Sequence, residues 1–341
     1  MSLLQETPSR PRRASSVRAR RFTLTPTTTV YLALVALLII GSVLVAIDGG
    51  VLLDQGGILN ILTRSTVLGL VAIGQTMVIV TGSLDLSVAY LVGLCSLVAA
   101  ETMAGSESMM VPGVLLALAV AAVVGLINGL VITVLKAHAF IATLGIALVI
   151  KGYLEHTYTG PAGSVPRTFQ HLGYDRIGPV PIAALLMLLI GAGAWWYLRR
   201  TRPGYHMYAV GGDLEVARLS GVRTGRTIVM AHVLCAVAAG LAGVFLASRL
   251  GSGAPYVGTD AGYDLESIAA VVLGGTVLAG GRGGVVGTIG GVLILSTLDT
   301  IFDDLAVDPF FKDVVRGVVL IVAVALYARR QLAGQLSGRS A

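Results

Sequence analysis

The sequence predicts an all-α fold: a polytopic helical membrane bundle of about ten transmembrane helices with both termini cytoplasmic. Three observations predict it. The chain has 341 residues, of which 55% are hydrophobic and only 12% charged, about half the charged fraction of a soluble domain. Its apolar runs recur along nearly the whole length. Its basic residues cluster in alternate connecting segments, as expected of a multi-pass membrane protein.

Residues 1–28 carry six arginines (Arg10, Arg12, Arg13, Arg18, Arg20 and Arg21) among Ser and Pro, and read as a disordered basic cytoplasmic tail. The first apolar run follows at 30–47. It is long for a signal-peptide core and lacks a good small-residue cleavage site, so it reads as an uncleaved span. Further runs fall at about 58–81, 86–104, 111–135, 139–156, 179–198, 227–250, 265–281, 284–302 and 312–328. A bilayer core of about 30 Å needs about 20 helical residues, and shorter runs serve where a helix is broken. Eight spans would remain if two short runs were re-entrant. A transmembrane domain is thus expected over 29–330, with a short cytoplasmic tail at 331–341.

With the N-terminus inside and ten crossings, the inner segments hold most of the 24 basic residues, six of them in the 199–226 loop. The outer segments are acidic: Asp48 and Asp54, then Glu101 and Glu107, then four aspartates within 303–313. Lysine occurs only at Lys136, Lys151 and Lys312. Cys95 and Cys235 lie in apolar runs without a CxxC partner, which speaks against a disulfide framework or a metal site. The five histidines show no ligand spacing and read as interfacial or core-packed residues. No GK[ST] occurs, so the glycine-dense stretch 266–292 is not a phosphate loop. Tight helix packing around Arg282 explains it, with Gly287 and Gly291 spaced as GxxxG.

Four segments carry polar signals. In GQTMVIVTGSLDLSVAYLVG (74–93), the distance from Arg64 to Gly82 is short for a crossing, and the next run is short too. A turn within the membrane is expected there, with Asp85 and Ser87 at it; Asp85 either serves a pathway or caps the next helix. In GLINGLVITVLKAHAFIATLG (125–145), Gly125 and Gly129 suit close packing, and Asn128 and Thr143 are candidates to line a polar path. The outer loop 157–178 is rich in Gly and Pro. Within the basic loop, Asp213 can N-cap a short helix, Glu215 and Arg218 occupy its first and last turns, and Gly221 can take the left-handed position after it.

These blocks, in order, resemble the permease subunits of bacterial ABC sugar importers of the ribose/xylose/arabinose/galactose class. GQTMVIVTGSLDLSV, GLINGLVIT, FIATLGIALVIKG, YAVGGDLEVARLSGV, SIAAVVLGGTVLAGGRGGVVGT and PFFKDVVRGVVLIVAV carry the resemblance over roughly residues 30–330. It implies a multi-pass subunit of the bacterial cytoplasmic membrane that moves a pentose or hexose and has no catalysis, cofactor or metal of its own. The implied partners are two ABC ATPase subunits, an extracytoplasmic solute-binding protein, a second permease copy or paralogue, and membrane lipid; nucleic acid is not among them. It also implies that Gly211, Gly212, Asp213, Glu215, Ala217, Arg218, Leu219, Ser220 and Gly221 form the ATPase-coupling helix. The translocation pathway is expected near Asp85, Ser87, Asn128 and Thr143. The chain departs from the family pattern at Ala89, at Ala139 and at the pair Asp299-Thr300. Two other classes compete: an ion- or proton-coupled transporter using Asp85, Glu155 or Glu266, and a membrane enzyme using the acidic group Asp299, Asp303, Asp304 and Asp308.

Overall fold

In a computed structural model, the structure describes residues 25–308 and, beyond them, 310–312, 314, 315, 317 and 318. The tail 331–341 and the basic segment through residue 24 lie outside the described residues, as does most of the run 312–328.

Helix α1 (Pro26–Ile47) begins where Thr25 accepts a hydrogen bond from the Thr28 amide and Pro26 occupies the first turn. Helix α2 (Gln55–Val80) is capped by Asp54, whose carboxylate accepts from the Gly57 amide at 2.7 Å. Its 26 residues give about 39 Å of helix, longer than the bilayer core. The sequence expectation of a short crossing after Arg64 is therefore corrected. Arg64 lies inside α2, its charge paired with Asp303, so it does not mark a membrane boundary. From Ser65 to Val80 every residue of α2 is buried, which makes it the central post of the bundle.

Helix α3 (Val88–Met103) is the short one expected, with 16 residues and about 24 Å of length. Helices α4 (Met110–Thr133) and α5 (Ala139–Thr157) follow. The segment 158–181 is less irregular than its Gly and Pro content suggests: it holds α6 (Arg167–Tyr174) and a hairpin pairing β1 (Arg176–Ile177) with β2 (Val180–Pro181). Helix α7 (Ile182–Arg200) leads into a connector of two helices, α8 (Arg202–Gly212) and α9 (Leu214–Leu219). Only the second was expected. Helix α10 (Thr224–Leu250) packs against α4, α2 and α3. Its approach to α4 is set by Gly125 and Gly129: a Cβ on either would fall 2.6 Å from α10 backbone atoms of His232 and Val229. The expected GxxxG contact thus exists, and α10 is its partner.

Past α11 (Val257–Asp260), the run expected as a full span at 265–281 is helical only in α12 (Tyr263–Leu273), 11 residues and about 16 Å. Gly275, Gly280, Gly281, Gly283 and Gly284 then carry positive φ, so the chain turns instead of continuing as helix. It re-enters helix as α13 (Val285–Asp304), which packs on α12 through Gly287 and Gly291. Among the described residues seven helices are long and apolar enough to cross a membrane: α1, α2, α4, α5, α7, α10 and α13. Helices α3 and α12 are shorter, with 16 and 11 residues. The bundle has two ends. The connector α8–α9 lies at one, with the 81–87 linker and the 274–284 turn. The 158–181 segment and the α1–α2 turn lie at the other.

Candidate functional site

The connector is built by its capping chemistry. Thr201 caps α8 by accepting from the Gly204 amide at 3.2 Å. Asp213 forms the corner between the two helices in an extended conformation (φ −161°), and its carboxylate accepts from the Val216 amide at 2.9 Å. Glu215 in the first turn and Arg218 in the last complement the helix dipole and pair with each other at 3.1 Å. The end is a Schellman motif. Gly221 takes φ +83°, its amide bonds the Arg218 carbonyl, and the Val222 amide reaches back to the Ala217 carbonyl.

Ala217 is buried beneath α9, whereas Leu214, Val216 and Leu219 are exposed, Leu219 with 83% of its surface exposed. A helix so completely capped has no need of those leucines and that valine for its own stability. Val216 and Leu219 lie on one face as an outward apolar pair, whereas Leu214 lines the cavity beside the bundle.

The connector is also pressed against the bundle. A Cβ on Gly211 would lie 1.9 Å from the Val80 carbonyl oxygen, which itself accepts from the Gly281 amide at 3.0 Å. Tyr208 donates to the Gly283 carbonyl at 3.0 Å, and the Arg199 guanidinium lies 5.7 Å from its ring centre. Gly212, one residue on, meets nothing within 4 Å. The connector, the end of α2 and the 274–284 turn therefore touch backbone to backbone.

Just beyond this contact lies a buried polar cluster around the 81–87 linker. Asp85 Oδ1 accepts from the Ser87 amide at 2.9 Å and from its hydroxyl at 2.6 Å. Asn128 on α4 directs Nδ2 to both Asp85 oxygens at 3.4 and 3.3 Å, and to Ser87 Oγ at 2.9 Å. His232 on α10 places Nδ1 3.3 Å from Asp85 Oδ2 and Nε2 2.9 Å from Ser83 Oγ. A hydrogen bond to the carboxylate places a proton on Nδ1, and Nε2 pairs with the Ser83 hydroxyl. Gln75 donates to the Asp85 carbonyl at 3.3 Å. Thr143 on α5 accepts from the Leu86 amide at 3.2 Å.

The four residues expected at the pathway, Asp85, Ser87, Asn128 and Thr143, thus meet in one place, and each is 0% exposed. The break between α2 and α3 is satisfied by side chains from α4, α5 and α10. His232 is the member that sequence reading missed. A histidine in an apolar run without ligand spacing looks like packing. The available signal was an ionisable residue at depth in a membrane span. The Asn128 carbonyl oxygen is buried without a partner among the described residues.

Between cluster and connector opens a cavity of about 630 Å3, lined by Ser83, Leu84, His138, Phe140, Gly211 and Asp213 among others. The other acidic candidates lie apart. Glu155 is exposed and pairs with Lys151 at 3.6 Å along α5. Asp303 is bound by Arg64 and Lys312. Asp299 faces a separate small cavity with Glu266. The acidic group is therefore divided between ion pairs and a cavity instead of forming one catalytic cluster.

Fold and site define a class: a polytopic helical membrane protein with an exposed, capped connector helix seated against a broken span. The chain belongs to the family described as branched-chain amino acid transport system / permease component, whose model matches residues 57–324. Among curated proteins it is similar to the ribose import permease protein RbsC of Bacillus subtilis, 40% identical over 288 residues, covering 83% of this chain and 88% of that one. RbsC of Escherichia coli K12 is 38% identical over 280 residues, covering 80% and 85%. The galactose/methyl galactoside import permease protein MglC of Haemophilus influenzae is 32% identical over 299 residues, covering 80% and 87%. No solved structure matches.

Proposed function

We propose that this chain is the permease subunit of an ATP-binding-cassette importer of the bacterial cytoplasmic membrane, carrying a pentose or hexose. The observation that carries the reading is α9, a capped helix with the apolar pair Val216 and Leu219 turned away from the bundle. ATP hydrolysis belongs to a separate ATPase, which α9 docks; an extracytoplasmic binding protein delivers the sugar. Two ATPase subunits and a second permease, identical or paralogous, complete the assembly. The ribose and galactose permeases among its relatives favour a monosaccharide over the amino acids in the family description.

Orientation follows from charge. The connector end holds Arg199, Arg200, Arg202, Arg218, Arg223 and Arg226 and lies in the cytoplasm, with both termini; the 158–181 end faces out. The mechanism follows from the contacts. An ATPase groove that moves on binding ATP carries α9 with it. Only Ser220, Gly221, Val222 and Arg223 separate α9 from α10, so the displacement enters α10. His232 on α10 holds Asp85, so the 81–87 linker follows, and with it the ends of α2 and α3. The Gly211–Val80 contact transmits the same motion from α8. Asp85, Ser87, Asn128 and Thr143 then brace the pathway as one body and hold the moving helices in register. This gives alternating access without a charge change in the membrane.

The test is uptake by the complex with its ATPase and binding protein in proteoliposomes, using labelled pentoses, hexoses and leucine. ATP-dependent uptake of a sugar and not of leucine is expected. Leu219→Glu should lower it at least tenfold and weaken retention of the ATPase, while the permease stays folded. Undiminished uptake and ATPase retention in L219E would remove α9 from the coupling role. ATP-independent uptake by the chain alone would favour the ion-coupled reading.

A further inference from the structure

At the connector end of the bundle, a cavity of about 320 Å3 opens between the first turn of α1, the last turn of α7 and the segment that leads into α13. Pro26, Trp195, Arg199, Arg282, Gly284 and Val286 shape its walls, and no carboxylate lines it. Arg199 is held over the start of α13. Its guanidinium lies 5.7 Å from the Tyr208 ring centre, and Tyr208 is itself fixed to the Gly283 carbonyl. Its Nη2 atom lies 3.9 Å from where a Cβ on Gly284 would stand. Arg282 is exposed on the turn beside it. Neither arginine pairs with a carboxylate among the described residues, whereas Arg218 on α9 is neutralised by Glu215.

We propose that this cavity holds the phosphate headgroup of an anionic phospholipid of the cytoplasmic leaflet. Three features select that occupant. The first is charge. Two guanidiniums without a counter-charge offer planar forks that donate to phosphate oxygens, and together they exceed the charge of one phosphodiester. A lipid with net negative charge is therefore preferred over a zwitterionic one, whose own cation would be repelled. The second is position. The cavity lies at the basic end of the bundle, and the exposed Trp195 on its rim is the residue type that favours the membrane boundary. The third is a path for the acyl chains. Leu188, Ala192 and Trp195 are exposed along one face of α7 that ends at Arg199. That face is about 16 Å long from Leu188 to Arg199. Val286 is 43% exposed across from it, and Tyr31 of α1 donates to the Val286 carbonyl at 3.0 Å, closing the other side. A soluble anion would use the arginines and have no use for the apolar stripe.

The backbone reinforces the two arginines. Helix α13 runs 20 residues from Gly284 and has no side-chain cap, so its positive end adds to the field at the cavity. The turn that carries Arg282 is also the one on which the connector rests: a Cβ on Gly281 would lie 2.8 Å from the Gly212 backbone. A headgroup bound here would join α1 and α7 to that seat. The proposal needs only the membrane fold and the basic connector end, and it makes no assumption about the solute carried.

The test uses the protein's own fluorescence. The chain has two tryptophans, Trp195 and Trp196, and Trp196→Phe leaves the one at the cavity rim. The full-length chain with this substitution is reconstituted in phosphatidylcholine vesicles that contain a minor fraction of lipid brominated near the headgroup end of its acyl chains. That lipid is either phosphatidylglycerol or phosphatidylcholine. Brominated phosphatidylglycerol is expected to quench Trp195 about threefold more per lipid than brominated phosphatidylcholine. Arg282→Gln is expected to reduce that preference, and the double variant with Arg199→Gln to abolish it. Arg176→Gln, in the hairpin at the opposite end, should leave it unchanged. An excess of inorganic phosphate should not displace the lipid. Equal quenching by the two lipids would overturn the site. A preference that survives in the double variant would place the attraction in the basic segments at large, and would overturn it too. Loss of the preference on adding inorganic phosphate would assign the arginines to a free anion and overturn the lipid as occupant. Arg282→Gln alone leaves the Arg199–Tyr208 contact intact, so an undiminished preference in that folded variant also counts against the site.

Discussion

His232 and Asp85 hold each other where neither reaches solvent, and their dependence is not symmetrical with that of a surface pair. An ionised carboxylate inside the bundle keeps its stability only while donors surround it, and removing one exposes the cost of burial. His232→Leu takes away the donor from α10 and leaves Ser83 without its partner. It is expected to destabilise the protein by about 3 kcal/mol, read as a lower unfolding midpoint in detergent. His232→Gln retains an amide donor and should recover at least half of that loss. Equal midpoints for the two variants would mean that volume, and not the hydrogen bond, matters at this position. Sequence reading had placed Asp85 and Asn128 at one functional locus because both are polar at depth. It had no means of joining them to His232, which is 147 residues from Asp85 along the chain.

Helix α9 shows how much an element can reveal from its own residues. Asp213, Glu215, Arg218 and Gly221 specify start, dipole and stop within nine positions, and the structure places the cap, the ion pair and the left-handed turn at those residues. Local chemistry of this kind is complete within one helical turn of its own sequence. The preceding α8 was not legible: its glycines, Gly204, Gly211 and Gly212, argue against helix, and packing on α2 and α7 overrides that preference. The same packing yields a sharp contrast between adjacent glycines. Gly211→Ala would press a methyl group into the Val80 carbonyl and is expected to reduce reconstituted uptake severalfold. Gly212→Ala meets open space and should transport as the wild type does. Similar behaviour of both would show that the connector is not rigidly seated.

At the scale of the molecule, orientation is the property that charge decides and labelling can read. Cys95 and Cys235 are both buried, so an impermeant maleimide has no native target at the surface of the described fold. Ser220→Cys on the connector is expected to label only in inside-out vesicles. Ile177→Cys, exposed in the β1–β2 hairpin, should label in cells whose outer barrier is opened. The reverse pattern would invert the molecule and place α9 beyond reach of a cytoplasmic ATPase. The membrane bundle itself was legible because apolar composition and basic asymmetry are summed over many residues and tolerate local error. Span lengths were less so: Arg64 looked like a boundary, and only its pairing with Asp303 from α13 lets α2 run through it.

The sequence by itself determined the membrane class, the order of the spans, the capped connector helix and the family resemblance, because each is written in composition or within a few adjacent residues. The tertiary structure decided which distant residues share a site. It joined Asp85 to Asn128 and His232, seated the connector on the end of α2, and opened the cavity beside Arg199 and Arg282. Those arrangements depend on how helices approach, and approach distances are set by glycines and partners far apart in the chain.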